Sequence, residues 1–510
     1  MTTEWTGALD ENGVVRLAEL LALKLRPGDA IALSGELGAG KTTFARALIG
    51  ALLPGNAPEV PSPTFSLQQA YTTARMSISH FDFYRLSGPD EARELGFEDA
   101  EGAVIVEWPE RAAGLLPQSR FEIGLAETAD KGVRRVTLRG VGAVAARAQR
   151  VGEVMTFLQA QPAWHGASVT YLQGDASTRS YARLAKNGRT ALLMDAPRQP
   201  DGPPIREGKP YSRIAHLAED MVRAFSGIGA ALRAAGLSVP QTLAEDLDKG
   251  LMLVEDLGET LYSTGVTQGA LPREELWRAA VDALVHLRTV PVPERLLLRD
   301  GSSHVLPTYD RGALEIEVEL LIDWYWPALR GERVPDAVRA EFLSLWRPVL
   351  ERLERQPPSW VLRDFHSPNL IWLQQRRGMQ RAGVLDFQDA QRGPAAYDLV
   401  SLLQDARVDT PEMLERALFA HYCAAAGAAD PGFDEAEFTF CYAALGAQRN
   451  TKILGIFVRL AHRDAKPQYL AHLSRIWRYL ERNLRHVTLA PLAAWYGRHF
   501  PASVRSGKLP

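Results

Sequence analysis

The chain has almost no cysteine: two in 510 residues, Cys423 and Cys441. Neither stands in a CxxC pair or at histidine-ligand spacing, which excludes a disulfide scaffold or structural zinc site and predicts two buried free thiols in an alanine- and aromatic-rich helical stretch. Neither charge is in excess, with 58 basic residues against 61 acidic and a formal net charge of -3. Any contact with RNA must therefore come from a local patch or through a partner. No apolar run approaches the length of a membrane span, about 18 residues, and Met1-Thr2-Thr3-Glu4 is not a basic segment leading into an apolar core, so a cytoplasmic protein is expected. Repeats with a period of about 20–50 residues and low-complexity blocks are absent as well.

What the chain does have is two unrelated phosphate-handling signatures, one towards each end. Residues 35–42 read GELGAGKT, a P-loop, and residues 363–369 read RDFHSPN with LDF at 385–387, a kinase-type catalytic loop and metal loop. A length of 510 residues exceeds what one core usually organises and accommodates roughly three units of about 150 residues, one for the P-loop fold and two for the lobes of a kinase. The expected architecture is an α/β P-loop NTPase domain over residues 1–145, followed by an α+β bilobal kinase-like domain over 152–510, with lobes of about 152–260 and 261–510. The small-residue stretch at 140–147 marks the join, and a helical pattern from Val151 to about Gln159 makes part of the connector helical.

The P-loop lies in its required context. Residues 29–34 form a short apolar run suited to a buried strand, and residues 42–52 have helical spacing. Glycines at 35, 38 and 40 let backbone N–H groups turn inward around phosphate oxygens at the positive end of that helix. Gly35, Gly38, Ala39, Gly40, Lys41, Thr42 and Thr43 are the expected nucleotide contacts, with the Thr42 hydroxyl on Mg²⁺. A P-loop also needs an acid for metal and water. Glu107 ends an apolar strand at 103–108, and Asp82 falls on the polar phase of an alternating segment at 78–85; each is either a metal-site acid or a solvated strand residue.

The motifs SPTF at 62–65, HFDFYRL at 80–86 and VEWPE at 106–110, in that order after the P-loop, resemble the small ATPase subunit of the bacterial tRNA N6-threonylcarbamoyladenosine-37 machinery over about residues 8–140. The resemblance implies that Lys41 and Thr42 bind the triphosphate and Mg²⁺, that Asp82 and Glu107 serve metal and hydrolysis, and that Thr64 lies in a switch-like loop. Trp108 is a nucleotide-side or packing residue. It further implies an ATP-driven regulator that docks onto the threonylcarbamoyl transferase subunits, reaching tRNA only through them.

In the second part, Asn187-Gly188 between residues 181–186 and 189–194 is a strong type I′ hairpin signal, and the polar, small-residue segment before it is how a phosphate-covering loop is carried. Gly174, Ser177 and Arg179 are the expected nucleotide contacts there. Residues 212–235 read as one long helix, and 251–258 as a buried strand running into a hinge, where Glu255 and Leu257 would offer backbone to adenine. Asp364 is the candidate base, with Asn369 and Asp386 as Mg²⁺ ligands and His366 packing inside the loop. The strand that should carry a VAIK-type lysine reads ALLMD at 191–195, leaving Arg179 or Arg183 as the substitute cation and Glu219 as the helix carboxylate. Asp310 and Glu317, in a segment of carboxylates and aromatics, are candidate sugar ligands. The basic-aromatic run at 477–482 reads as a solvated helix face.

GDASTRSY at 174–181, LLMDAP at 192–197, EDLG at 255–258, RDFHSPNL at 363–370, LDFQDA at 385–390 and LGAQRNTKILG at 445–455 are similar to the aminoglycoside/choline phosphotransferase superfamily, most of all to anomeric kinases of N-acetylmuramate and N-acetylglucosamine. That implies ATP-dependent formation of a sugar 1-phosphate in cell-wall recycling. The alternatives are a kinase for another hydroxyl, on choline, homoserine or an aminoglycoside, and a regulatory pseudokinase.

Overall fold

A computed structural model describes residues 2–53, 60–73, 75–112, 114–172, 179–505 and 509. The chain forms two compact units, Met1–Pro197 with Leu243–Asp256, and Arg198–Thr242 with Leu257–Pro510.

The first unit opens with β1 (Thr2–Leu9), α1 (Glu11–Lys24), β2 (Ala30–Ser34) and α2 (Lys41–Leu52). β3 (Gln68–Thr72), β4 (Ser77–Asp82), α3 (Pro89–Glu94), β5 (Ala103–Glu107), β6 (Arg120–Glu127) and β7 (Arg134–Val141) complete a seven-stranded sheet of order β1-β7-β6-β2-β5-β4-β3. Strands β4, β5, β2 and β6 are parallel neighbours, so β2 is buried on both faces, and its AIALS run is apolar for that reason. The sheet edges are antiparallel.

The chain continues as α4 (Ala145–Gln159), β8 (Ser168–Leu172), β9 (Ser180–Lys186) and β10 (Arg189–Asp195). After a short ribbon of β11 (Pro204–Arg206) and β12 (Lys209–Pro210), with α5 (Tyr211–Ile214) and α6 (Met221–Ala234), it returns in β13 (Thr242–Asp246) and β14 (Leu251–Glu255). β8, β9, β10, β14 and β13 form a five-stranded sheet in which the β8–β9, β9–β10 and β10–β14 pairs are antiparallel. The β9–β10 hairpin turns on Asn187 and Gly188 with φ of 50° and 72°, both left-handed as a type I′ turn requires.

The expected join at 140–151 is not a gap in packing. α4 starts at Ala145, six residues before the helical pattern shows in the sequence, because Val151, Val154, Met155 and Leu158 are all buried in a core that runs without interruption from Ile31, Leu33 and Phe44 to Leu184, Leu193 and Leu253. Polar contacts follow the same surface. Arg16 Nη2 donates to the carbonyls of Trp164 (2.8 Å) and Ala167 (3.0 Å), and the amide of Val169 donates to Glu19 Oε2 at 3.1 Å. Asp195, at the end of β10, is flanked by Lys24 of α1 at 2.6 Å and Arg150 of α4 at 2.8 Å. Burial works against its charge, but those two cations outweigh it and hold the carboxyl below the usual range.

Asp195→Ala leaves two cations with side chains only 24% and 14% exposed and no carboxylate between them. A loss of about 1–3 kcal/mol, read as a fall of several degrees in the thermal midpoint, is expected. Because the native pKa is depressed, the contribution is complete above the ordinary value of 3.8 and fades as pH falls below it, so the variant and parent curves should converge in acid. An unchanged midpoint at neutral pH would count against the clamp.

The second unit is largely helical: α7 (Tyr262–Thr267), α8 (Arg273–Thr289), α9 (Arg311–Leu320), α10 (Trp326–Arg330), α11 (Asp336–Glu354), α12 (Ala396–Leu403), α13 (Glu412–Ala429), α14 (Glu435–Arg463), α15 (Leu473–Asn483) and α16 (Ala490–His499). Its short strands pair as ribbons: β15 (Arg295–Leu297) with β16 (Ser303–Val305), β17 (Ser359–Val361) with β20 (Gln391–Gly393), and β18 (Leu370–Trp372) with β19 (Ala382–Val384). Cys423 and Cys441 are buried and free, and burial pushes both thiols up to about 12. In α15, Trp477 and Tyr479 face the interior while Arg478 points outward, so the basic-aromatic run is one amphipathic helix.

The single helix expected over 212–235 is corrected to two. His216 takes φ = 52°, and Asp220 begins a new helix by accepting the amide of Arg223 at 3.1 Å. Glu219 therefore precedes α6 instead of lying on it, and pairs with Arg198 and Arg213. The apolar periodicity runs across the break although α5 itself buries no residue, because periodicity is blind to a residue in the left-handed region. Among the described residues no helix is long and apolar enough to cross a membrane.

Candidate functional sites

The P-loop bridges the end of β2 and the start of α2. Gly35 has φ = 142°, and a Cβ there would lie 2.3 Å from the Leu125 carbonyl oxygen; Gly40, at φ = 106°, caps α2 in a conformation that side chains resist. Gly38 is also left-handed, and Ala39 is buried, its carbonyl accepting from Arg134 Nε at 3.3 Å. Thr43 lies in the first turn of α2. Lys41 folds over the loop: Nζ donates to the carbonyls of Gly35 (2.8 Å) and Glu36 (2.9 Å) and sits 3.8 Å from the centre of the Trp108 ring. Burial lowers its pKa, against the opposing pull of Glu107, Asp82 and Glu110.

Asp82 and Glu107 are register partners at the carboxyl ends of parallel strands β4 and β5, which puts both acids beside the loop. Neither is a solvated strand residue, since they are 3% and 2% exposed. The Thr42 hydroxyl is 3.0 Å from both Glu107 oxygens. Asp82 accepts from the Thr64 hydroxyl at 2.7 Å and the Tyr84 amide at 2.9 Å, tying the SPTF loop to the strand end. Trp108 thus packs on both Lys41 and Tyr84. One residue that sequence reasoning left without a role is His80, fully buried with Nε2 3.1 Å from Glu107 Oε1. Its signals were its place at the head of the HFDFYRL motif and the strand periodicity that puts it two residues before Asp82.

In the second unit, the β17 end and the ribbon of β18 and β19 deliver the kinase-type residues. Arg363 and Asp386 have φ of 68° and 58°, left-handed positions of the kind that gather at functional sites. The loop between is held from below: Asp398 of α12 accepts the amides of Leu362 (2.6 Å) and Arg363 (3.0 Å), and Asp405 accepts the amide of Ser367 at 2.8 Å. Burial pushes Asp398 up to about 7 even so. Asp364 keeps 42% of its side chain exposed, reachable by a substrate, while His366 is buried with Nε2 3.8 Å from Asp364 Oδ1. Desolvation opposes the Asp364 charge, but His366, Lys452, Arg363 and Arg449 together hold its pKa below the usual range. The Asn369 amide spans the two loops, donating to the Asp364 carbonyl at 3.0 Å and lying 3.4 Å from Asp386 Oδ2. Gln388 Nε2 donates to Asp386 Oδ1 at 3.1 Å, and Asp389 accepts the Ala218 amide at 2.7 Å.

Asp310 and Glu317 fall elsewhere. Asp310 caps α9, accepting the Ala313 amide at 2.9 Å, and also meets His216 Nε2 at 2.9 Å. Glu317 as a sugar ligand is corrected: it is 0% exposed and bonds to Tyr309, Arg363, Gln448 (2.9 Å) and Lys452 (2.8 Å), which makes it the internal counter-ion of Arg363. Gly174 and Ser177 lie outside the described residues. Arg179 Nη1 is 3.5 Å from the Tyr181 hydroxyl, and Arg183 is held by Asp256 at 2.6 Å. Glu255 ends β14, with Leu257 two residues on.

The donors at both sites suit a hard cation. Thr42, Asp82 and Glu107 in one, and Asn369 and Asp386 in the other, present hydroxyl, amide and carboxylate oxygens, the set that Mg²⁺ prefers.

The family model described as Threonylcarbamoyl adenosine biosynthesis protein TsaE matches residues 9–136, and that described as Phosphotransferase enzyme family matches 168–438. An N-acetylmuramate/N-acetylglucosamine kinase of Caulobacter vibrioides is 39% identical over 342 residues, which are 66% of this chain and 92% of the relative. Another from Pseudomonas aeruginosa is 35% identical over 315 residues, 60% of this chain and 81% of the relative. A tRNA threonylcarbamoyladenosine biosynthesis protein TsaE of Rickettsia felis is 42% identical over 118 residues, 23% of this chain and 68% of the relative.

Proposed function

Because the chain belongs to the phosphotransferase enzyme family and carries a TsaE domain ahead of that region, we propose that it is a bifunctional enzyme, an ATPase supporting tRNA threonylcarbamoyladenosine formation joined to an amino-sugar 1-kinase. The observation that carries the kinase reading is the trio Asp364, Asn369 and Asp386, gathered on two loops that one amide connects, in a chain 39% identical to a kinase of N-acetylmuramate and N-acetylglucosamine. Asp364 orients the anomeric hydroxyl and accepts its proton; that hydroxyl is the most acidic on the sugar, so a weak carboxylate base suffices. Asn369 and Asp386 would hold Mg²⁺, which when bound neutralises charge on the phosphoryl group in transfer. Arg363 positions the loop by its ion pair with Glu317 and its bond to the Ala215 carbonyl at 2.8 Å.

In the N-terminal site, Lys41 would contact the triphosphate, with Thr42, Asp82 and Glu107 around Mg²⁺ and Thr43 at the start of α2. The TsaE match supports docking on the transferase subunits, with tRNA reached through them.

The test uses the full chain and ATP. Sugar-dependent ADP release is expected with N-acetylmuramate and N-acetylglucosamine, phosphorus coupling to the anomeric proton in the product, and no turnover of 1-methyl glycosides. A 6-phosphate product, or choline, homoserine or an aminoglycoside turned over in preference, would overturn the sugar assignment.

A further inference from the structure

His80 takes no part in either reaction proposed above, yet it lies inside the P-loop fold. On β4, Ile78, His80 and Asp82 alternate onto one face, and in the parallel pair with β5 they stand opposite Ala103, Ile105 and Glu107. Ile78 and Ile105 belong to the apolar core, where burying an imidazole costs free energy that an apolar side chain would not. The ring is nevertheless 0% exposed. Its Nε2 lies 3.1 Å from Glu107 Oε1 and its Nδ1 has no partner among the described residues, so the bond to Glu107 is its one polar contact and joins no wider network. The two acids of the site are also held differently. Asp82 accepts the Tyr84 amide at 2.9 Å on Oδ1 and the Thr64 hydroxyl at 2.7 Å on Oδ2, so the backbone itself fixes one oxygen. Among the described residues, the Glu107 carboxylate accepts only from the Thr42 hydroxyl, 3.0 Å from both its oxygens, and from His80.

We infer that His80 is a positioning residue for Glu107: its Nε2–H holds Oε1 and leaves Oε2 for the metal site. This rests on the ATPase reading above. A threonine hydroxyl carries one hydrogen and turns about its C–O bond, and the Thr42 oxygen is itself one of the proposed Mg²⁺ ligands, so Thr42 alone cannot fix the carboxylate. The imidazole is rigid and enclosed by the sheet, and it keeps its hold on Glu107 whichever way the Thr42 hydroxyl turns. Outer partners of this kind orient the groups that meet a metal, and their loss is felt in metal affinity and turnover. Glutamine places an amide N–H close to where the imidazole Nε2 stands, whereas asparagine, one methylene shorter, stops near the Nδ1 position and falls short of Glu107.

The full chain decides it, with His80→Gln, His80→Asn and His80→Leu set against the parent. Sugar-independent ATP hydrolysis should lose about 10- to 100-fold in kcat with asparagine and leucine, at a KM for ATP within about twofold, while glutamine stays within about threefold of the parent. Sugar phosphorylation should stay within about twofold throughout, which reports an intact fold. A second readout needs no turnover: equilibrium dialysis with ADP, in which the Lys41→Ala chain subtracts nucleotide bound at the kinase site. Mg²⁺ should strengthen the remaining binding in the parent and with glutamine, and do so at least about fivefold less with asparagine, while binding without Mg²⁺ is unchanged. Glutamine and asparagine behaving alike, whether both active or both impaired, would overturn the assignment, and that comparison holds even if the leucine variant fails to fold. So would a loss carried by KM, a matching loss of binding without Mg²⁺, or Mg²⁺ acting alike on parent and asparagine variant. A parent that hydrolyses no ATP without sugar would instead remove the ATPase reading, and the dialysis alone would then decide the part of His80.

Discussion

Asp364→Asn should lower sugar phosphorylation by about 10²- to 10⁴-fold and leave sugar-independent ATP hydrolysis within twofold, while Lys41→Ala should do the reverse. The two sites share no group. Lys41 closes on the carbonyls of Gly35 and Glu36 and on Trp108, all within the P-loop fold, whereas Asp364 is surrounded by His366, Lys452, Arg363 and Arg449 of the second unit. Asparagine keeps the shape of the Asp364 side chain and removes only its capacity to take a proton, so the loss should appear in kcat more than in KM. Separate measurement of ADP release with and without N-acetylglucosamine reads both activities in one sample. If either substitution, in a folded protein, eliminated both activities, the two-enzyme reading would be wrong.

The parts of this molecule that were legible from the amino-acid sequence are those whose physics is local. A P-loop declares itself because glycines must stand where φ is positive and the following helix must start at once, and Asn187-Gly188 because few dipeptides accept two left-handed residues in a row. The order of Asp364, Asn369 and Asp386 was readable for the same reason, as short loops leaving short strands. What escaped depends on residues far apart in the chain. Lys24 and Asp195 are separated by 171 positions, and nothing near either announces that α1 covers the second sheet. Glu317 looked like a sugar ligand because carboxylates beside aromatics are common in sugar pockets; its true neighbours, Arg363 and Lys452, are 46 and 135 positions away. His216 broke an otherwise continuous helical pattern because the Gln391 and Arg363 side chains bind the backbone carbonyls of 215 and 216, a tertiary demand that overrides local propensity.

Glu317→Gln should destabilise the second unit more than any other single conservative change considered for it. The carboxylate is fully buried and is the counter-charge to both Arg363 and Lys452, with Tyr309 and Gln448 completing its shell. Glutamine preserves size and one acceptor oxygen but removes the charge, stranding two buried cations, a situation that typically costs about 3–5 kcal/mol and here would lower the thermal midpoint by roughly 10 °C. The pH dependence tells this apart from a simple packing defect. Burial alone would raise the Glu317 pKa; Lys452 and Arg363 instead hold it at about 2, against an ordinary 4.5. A depressed native pKa means that the stabilisation is complete above 4.5 and is withdrawn as pH falls towards 2, so the parent protein should lose stability over that window and the variant should show a shallower acid limb. Arg363, and with it the 363–369 loop, would also be less firmly anchored, so kcat for sugar phosphorylation should fall even at temperatures where the variant stays folded. A variant as stable as its parent at pH 7, or one with the same acid limb, would show that the two cations find their compensation elsewhere.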